Sequence, residues 1–166
     1  DQISIPNAPS IARLSFRRFQ GESDYPHILA VISASEQADQ IDRIDTLEEI
    51  ANRYSQLSNC DPYQDMIFAE INGEVIGYLR GFWQEESETV RVYNSVGFII
   101  PAWRRKGIGN VMLRWMEDRL REVAAAHPAG LARFFQVEAK HFQQGKAILL
   151  ERAGYLGDAY QLILDH

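Results

Sequence analysis

The feature that most constrains this chain is a change of period around Gly107. From Val90 to Ile100 the residues suit one long strand, and Pro101, which has no N–H to donate, helps to end pairing there. From Gly107 onward, Ile108, Val111, Met112, Trp115, Met116, Leu120 and Val123 fall on one face of a helix, while Arg114, Glu117, Asp118, Arg121 and Glu122 face away. Between the two lies Arg104-Arg105-Lys106-Gly107-Ile108-Gly109-Asn110, a loop of cations and glycines that opens the helix. A helix start of this kind offers bare backbone N–H groups and the positive end of the dipole, and its glycines let the backbone approach an anion closely. The segment suits a pyrophosphate.

Upstream, Ala12 to Phe16 alternates apolar and polar residues and predicts a first strand within 12–20. Ser23 or Asp24 can cap a helix reaching about Ala34, with Pro26 in its first turn. Thr46 and Glu49 form a capping box for a second helix to about Leu57. Met66 to Ile71, Asn72-Gly73, and Glu74 to Trp83 predict a hairpin, because Asn-Gly tolerates the positive φ of a type I′ turn. With the strand from Val90 it makes a three-strand antiparallel meander. Downstream, Ala132 to Ala139 reads as a strand, 145–153 as a short helix closed by Gly154, and Ala159 to Leu164 as a last strand. A strand, long helix, strand succession implies a parallel crossover, so the expected fold class is α+β: one central mixed sheet, antiparallel first and parallel later, flanked by helices.

The 166 residues, 46% apolar and 24% charged, suit one domain with a substantial core, expected over 1–166. A net charge of −6 argues against broad nucleic-acid binding and makes the Arg104-Arg105-Lys106 cluster more conspicuous. No apolar run approaches the roughly 18 residues a bilayer demands, and the N-terminus lacks a basic region followed by an apolar stretch, so no membrane association is expected. Cys60 is the only cysteine, which excludes an internal disulfide and points to a reducing, cytoplasmic setting. The four histidines have no partner at ligand spacing, so no metal is expected. The Gly-x-Gly pair lacks the Gly-Lys-Ser/Thr of a P-loop and the third glycine of a dinucleotide fingerprint.

Arg104-Arg105-Lys106-Gly107-Ile108-Gly109 resembles the acyl-CoA signature of the GNAT N-acetyltransferase superfamily, Arg/Gln-x-x-Gly-x-Gly/Ala. Leu150-Glu151-Arg152-Ala153-Gly154-Tyr155 is similar to that family's second motif, Tyr-Glu-x-x-Gly-Phe, and the element order agrees over nearly the whole chain. The resemblance implies a GNAT fold with a splay between the meander's last strand and the strand at Phe134 to Glu138. It implies acetyl-CoA as acyl donor, and a primary amine of a small molecule or peptide attacking the thioester directly. Phe98, Ile99 and Ile100 would bond the pantetheine arm through their backbones. Arg104, Arg105, Lys106, Gly107, Ile108, Gly109 and Asn110 would hold the pyrophosphate, Gln143 falls where the family often has an Asn contacting the cofactor, and Lys146 would reach a phosphate of the adenosine end.

The chain departs from the family where catalysis is concerned. Leu150 stands where the family has a tyrosine acid, and Tyr93 falls near the position of a glutamate base. Tyr93 and Ser95, on one face of their strand, and Glu138, leaving the other side of the splay, are the remaining candidates for acid, base or water-ordering group. Those departures keep a second reading open, a module that holds acyl-CoA without turnover. The family usually supplies one more strand, so a second copy of the chain or a second GNAT domain would complete the sheet. Acceptor specificity belongs to the 35–61 region, whose Glu36, Asp39, Asp42 and Asp45 lean towards cationic amines, although most of these acids would simply be solvated.

Overall fold

The computed structural model describes residues 1–38, 45–128, 130–138, 142 and 148–151, the last four as backbone only. Strands β1 (Gln2–Ile3), β2 (Leu14–Arg17), β3 (Met66–Ile71), β4 (Glu74–Glu85), β5 (Val90–Ile99), β6 (Ala132–Glu138) and β7 (Ile148–Glu151) form one sheet in sequence order. All neighbours are antiparallel except β5 and β6, which are parallel, as the strand, helix, strand pattern requires. Helices α1 (Tyr25–Ala38) and α2 (Leu47–Ser55), and the short α3 (Pro62–Asp65), lie between β2 and β3; α4 (Ile108–Ala125) makes the crossover from β5 to β6.

Local chemistry explains most element ends. Asn72 (φ 53°) and Gly73 (φ 82°) are both left-handed, so the β3–β4 turn has the geometry Asn-Gly favours. The capping box is complete: Glu49 N–H donates to Thr46 Oγ1, and Thr46 N–H donates to Glu49 Oε1. The first long helix starts differently from expectation. Gly21 precedes a 3₁₀ turn at Glu22–Asp24 without a side-chain cap. The Asp24 carboxylate instead takes two bonds from the buried Arg17 guanidinium, at 2.7 and 3.0 Å, while Arg17 Nε donates to Glu70 at 2.7 Å. A guanidinium fork matched to a carboxylate outcompetes a cap.

A second difference concerns Ile148–Glu151, expected in a helix and found as β7 on the free edge of β6, with Phe134 opposite Leu149. A short apolar run reads as helix or strand equally well, and an unpaired strand edge decides it. The expected helix end at Gly154 and the strand at 159–164 lie outside the described residues.

The sheet separates two cores. On one face α4 buries Met112, Met116 and Leu120 against Ile67, Leu79, Tyr93, Ile99 and Phe135. On the other, α1 and α2 bury Ile28, Val31, Ile32 and Ile50 against Met66, Phe68 and Tyr78. Alternation along β5 therefore aims Tyr93, Ser95 and Ile99 at α4, and Asn94, Val96 and Phe98 at the α1/α2 face. Among the described residues no helix is long and apolar enough to cross a membrane.

Candidate active site

The loop between β5 and α4 is held from both ends. Pro101–Trp103 make a 3₁₀ turn, Arg104 is extended, and Arg104 Nε donates to Ile99 O at 2.8 Å, tying the loop to the strand it leaves. Arg105 (φ 61°) and Gly107 (φ 86°) are left-handed, and α4 begins after Gly107 with no side-chain cap. The N–H groups of Ile108, Gly109 and Asn110 thus lack intrahelical acceptors, the arrangement that receives anions. Ile108 is fully buried and anchors this end, while Arg105, Lys106, Gly107 and Asn110 are exposed around it. Gly107 is required twice, by its φ and by Pro9, whose Cγ would lie 3.2 Å from an added Cβ.

The end of β5 supplies a second backbone feature. Ile100 N–H donates to Ile76 O at 2.9 Å, so by alternation Phe98 and Ile100 turn their peptide groups to β4, and Gly97 and Ile99 turn theirs to the other edge. On that edge the ladder to β6 ends at Val96 opposite Glu138 among the described residues. Of the expected pantetheine contacts, only Ile99 faces this edge; Phe98 and Ile100 do not, because their backbone groups serve the antiparallel ladder. Gly97 faces it and was missed. Its signal was a glycine inside an otherwise bulky strand, and an added Cβ there would overlap the Tyr78 carbonyl.

The candidate catalytic residues do not converge. Tyr93 is fully buried against α4, and its hydroxyl bonds His127 Nδ1 at 2.8 Å. Ser95 is 2% exposed on the same face; an added Cβ at its ladder partner Gly81 would meet Met116 and Leu120 of α4. Glu138 is exposed and, as the parallel partner of Val96, belongs to the opposite face. Burial and the Tyr93–His127 bond make Tyr93 a packing residue, as its place under a helix dictates. Burial lowers the His127 pKa, and the nearby Arg91 and Arg133 charges lower it further. Gln143 and Lys146 lie outside the described residues.

On the α1/α2 face, a cavity of about 360 Å³ opens between the end of α2 and β4, lined by Arg53, Leu57, Asn59, Arg80, Phe82 and Trp83 among others. Trp83 N–H donates to Asn59 O and Asn59 Nδ2 donates to Trp83 O, so the loop after α2 borders β4 directly. Arg80 stacks on Tyr54 and Phe82, its guanidinium carbon 5.6 and 5.3 Å from the ring centres. The acids expected to face substrate are placed otherwise: Glu36 and Asp45 are buried rather than solvated, Asp45 accepts a bond from Arg53 at 3.3 Å, and Asp39 and Asp42 lie outside the described residues. Cys60 beside this cavity is half-buried, and burial pushes its thiol up to about 11, so it is no nucleophile at neutral pH. Among the described residues no group of His, Cys, Asp or Glu could hold a metal.

A mixed sheet whose fifth strand runs through a cationic glycine loop into an uncapped helix is the frame on which these residues sit. Residues 28–142 match the model of the acetyltransferase (GNAT) family, and the chain belongs to that family. Similar folds include a GCN5-related N-acetyltransferase from Sphaerobacter thermophilus, with a TM-score of 0.64 and 21% identity over 81% of this chain. The chain spans only 39% of that protein's length. A predicted acetyltransferase from Clostridium acetobutylicum, solved with acetyl-CoA, matches with a TM-score of 0.58 and 16% identity over 75% of this chain and 79% of its own. An aminoglycoside acetyltransferase from an uncultured soil metagenomic sample, in complex with sisomicin, matches with a TM-score of 0.52 and 18% identity over 77% of this chain and 78% of its own. No curated protein matches the sequence. At such identities these structures share the fold.

Proposed function

We propose that the chain is an N-acetyltransferase that takes its acyl group from acetyl-CoA and gives it to the amine of a small molecule or peptide. The observation that carries this reading is the uncapped start of α4 behind Arg105, Lys106 and Gly107, with the β5 edge at Gly97 and Ile99, past the last rung to β6 among the described residues, leading away from it. The helix start and exposed cations suit the pyrophosphate, and the β5 edge suits the amides of the pantetheine arm. Arg104, braced on Ile99 O, positions the loop.

Acetyl-CoA supplies a thioester whose C–S bond breaks as the amine nitrogen forms the new amide. Glu138, exposed one rung before Gly97, takes the proton the amine loses, directly or through a water. The departing thiolate is far less basic than an alkoxide and needs little help before it is protonated. Tyr93 and Ser95 act only as packing beneath this site.

Titration calorimetry with acetyl-CoA, desulpho-CoA and ATP tests the assignment. Micromolar binding of both CoA compounds, about −8 kcal/mol, with none for ATP, is the expected result. Failure of both CoA compounds to bind would overturn it. Once an acceptor is found, Glu138→Gln should lower kcat by about a hundredfold while acetyl-CoA affinity holds.

A further inference from the structure

Resting on the transferase reading, we propose that the cavity between α2 and β4 is the acceptor site and selects an amine that also carries a carboxylate, gripped by Arg80 with Arg53 at the rim. Arg80 stands opposite Val96 on the α1/α2 face, one rung from Gly97, where β5 passes the last rung to β6 among the described residues. An acceptor held by Arg80 therefore lies next to the end of the proposed pantetheine track.

Four observations set the charge of that acceptor. None of the cavity's described lining residues is acidic, while two are arginines. Arg53 is already engaged by Asp45, but Arg80 has no carboxylate within 4 Å among the described residues, and its Nε is buried without a hydrogen-bond partner. Arg80 stacks on Tyr54 and Phe82, and its N–H groups also reach the Tyr54 hydroxyl and the Cys60 thiol, which fixes the guanidinium while the buried Nε–H is left for an acceptor. Asn94, opposite Phe82 and diagonal to Arg80 on the same face, is 1% exposed, and both its Oδ1 and Nδ2 lack partners. A buried amide with neither group satisfied is costly, and Asn94 adjoins Phe82 of the cavity wall without lining the cavity itself. The neighbouring Asp65 accepts a bond from Arg119 at 2.7 Å and does not neutralise Arg80. Volume and polarity together fit a molecule of amino-acid size.

The test uses the full chain saturated with acetyl-CoA, so that the helix-start anion site is occupied. Glutarate and benzoate are titrated beside their amides, with the Arg80 Nε–Hε resonance as readout. Saturable shifts by both carboxylates and not by the amides are expected; by calorimetry, carboxylate binding is abolished in Arg80→Gln and weakened at least about tenfold in Arg80→Lys, which keeps the charge but loses the planar guanidinium. Equal responses to acids and amides, or no response to either, would overturn the proposal. Should acetyl-CoA bind while the carboxylates do not, the anion site falls and the transferase reading stands; should the carboxylates bind a chain that never takes acetyl-CoA, the reverse holds.

Discussion

The two ends of α4 are treated in opposite ways. At its C-terminal end the buried Arg133 reaches back from β6 and donates to Ala124 O in the last turn at 2.7 Å, and to His127 O and Pro128 O just beyond it at 3.0 and 2.9 Å, so protein closes this end. At its N-terminal end no side chain caps Gly107, and the first N–H groups have no intrahelical acceptor beside the exposed Arg105 and Lys106. One end is closed by the fold and the other carries no side-chain cap. Helix ends lacking protein partners are worth inspecting for function when the opposite end of the same helix shows that the fold can supply them.

Changes at each end should therefore have separable effects. Arg133→Met is the largest: it strips three carbonyls of a charged donor and should cost about 2–3 kcal/mol in denaturant unfolding, with acetyl-CoA affinity unchanged. A matching loss of affinity would show that the two ends are not independent. Gly107→Val should weaken acetyl-CoA binding at least about a hundredfold by calorimetry, since a β-branched residue resists positive φ and meets Pro9. Retained affinity would remove the loop from the site. Arg105→Gln with Lys106→Gln should weaken binding about tenfold and flatten its salt dependence, while the melting temperature moves little, both side chains being exposed.

The smallest effect is in the pH dependence at the sealed end. The folded His127 pKa lies below its ordinary 6.5, so the unfolded chain binds the extra proton first. Its contribution to stability is present above pH 6.5 and is lost as pH falls through the folded value. His127→Gln should flatten that part of the stability profile without altering acetyl-CoA affinity; an unchanged slope would assign the acid sensitivity elsewhere.

Much of the functional loop was legible because its signals are local. The strand-to-helix change of period, Gly107, the cations, the Asn72-Gly73 turn and the Thr46/Glu49 box each act over a few residues, and each is found in place. The misplaced residues share another property: long-range partners decide them. Asp24 could cap a helix until Arg17 claimed it, and Tyr93 could be catalytic until α4 and His127 enclosed it. Glu138 was visible as a carboxylate but not as a neighbour of Gly97, which needs the parallel register of β5 and β6.

The sequence by itself determined that a cationic glycine loop opens an amphipathic helix after a long strand, because propensity, periodicity and turn chemistry are properties of neighbouring residues. Only the tertiary structure decided where β5 passes the last described rung to β6, which end of α4 is met by a buried arginine, and that Arg80 and Asn94 share one face of the sheet. Those outcomes depend on strand register and on which distant side chain arrives first in a buried space, and neither is encoded within reach of a local pattern.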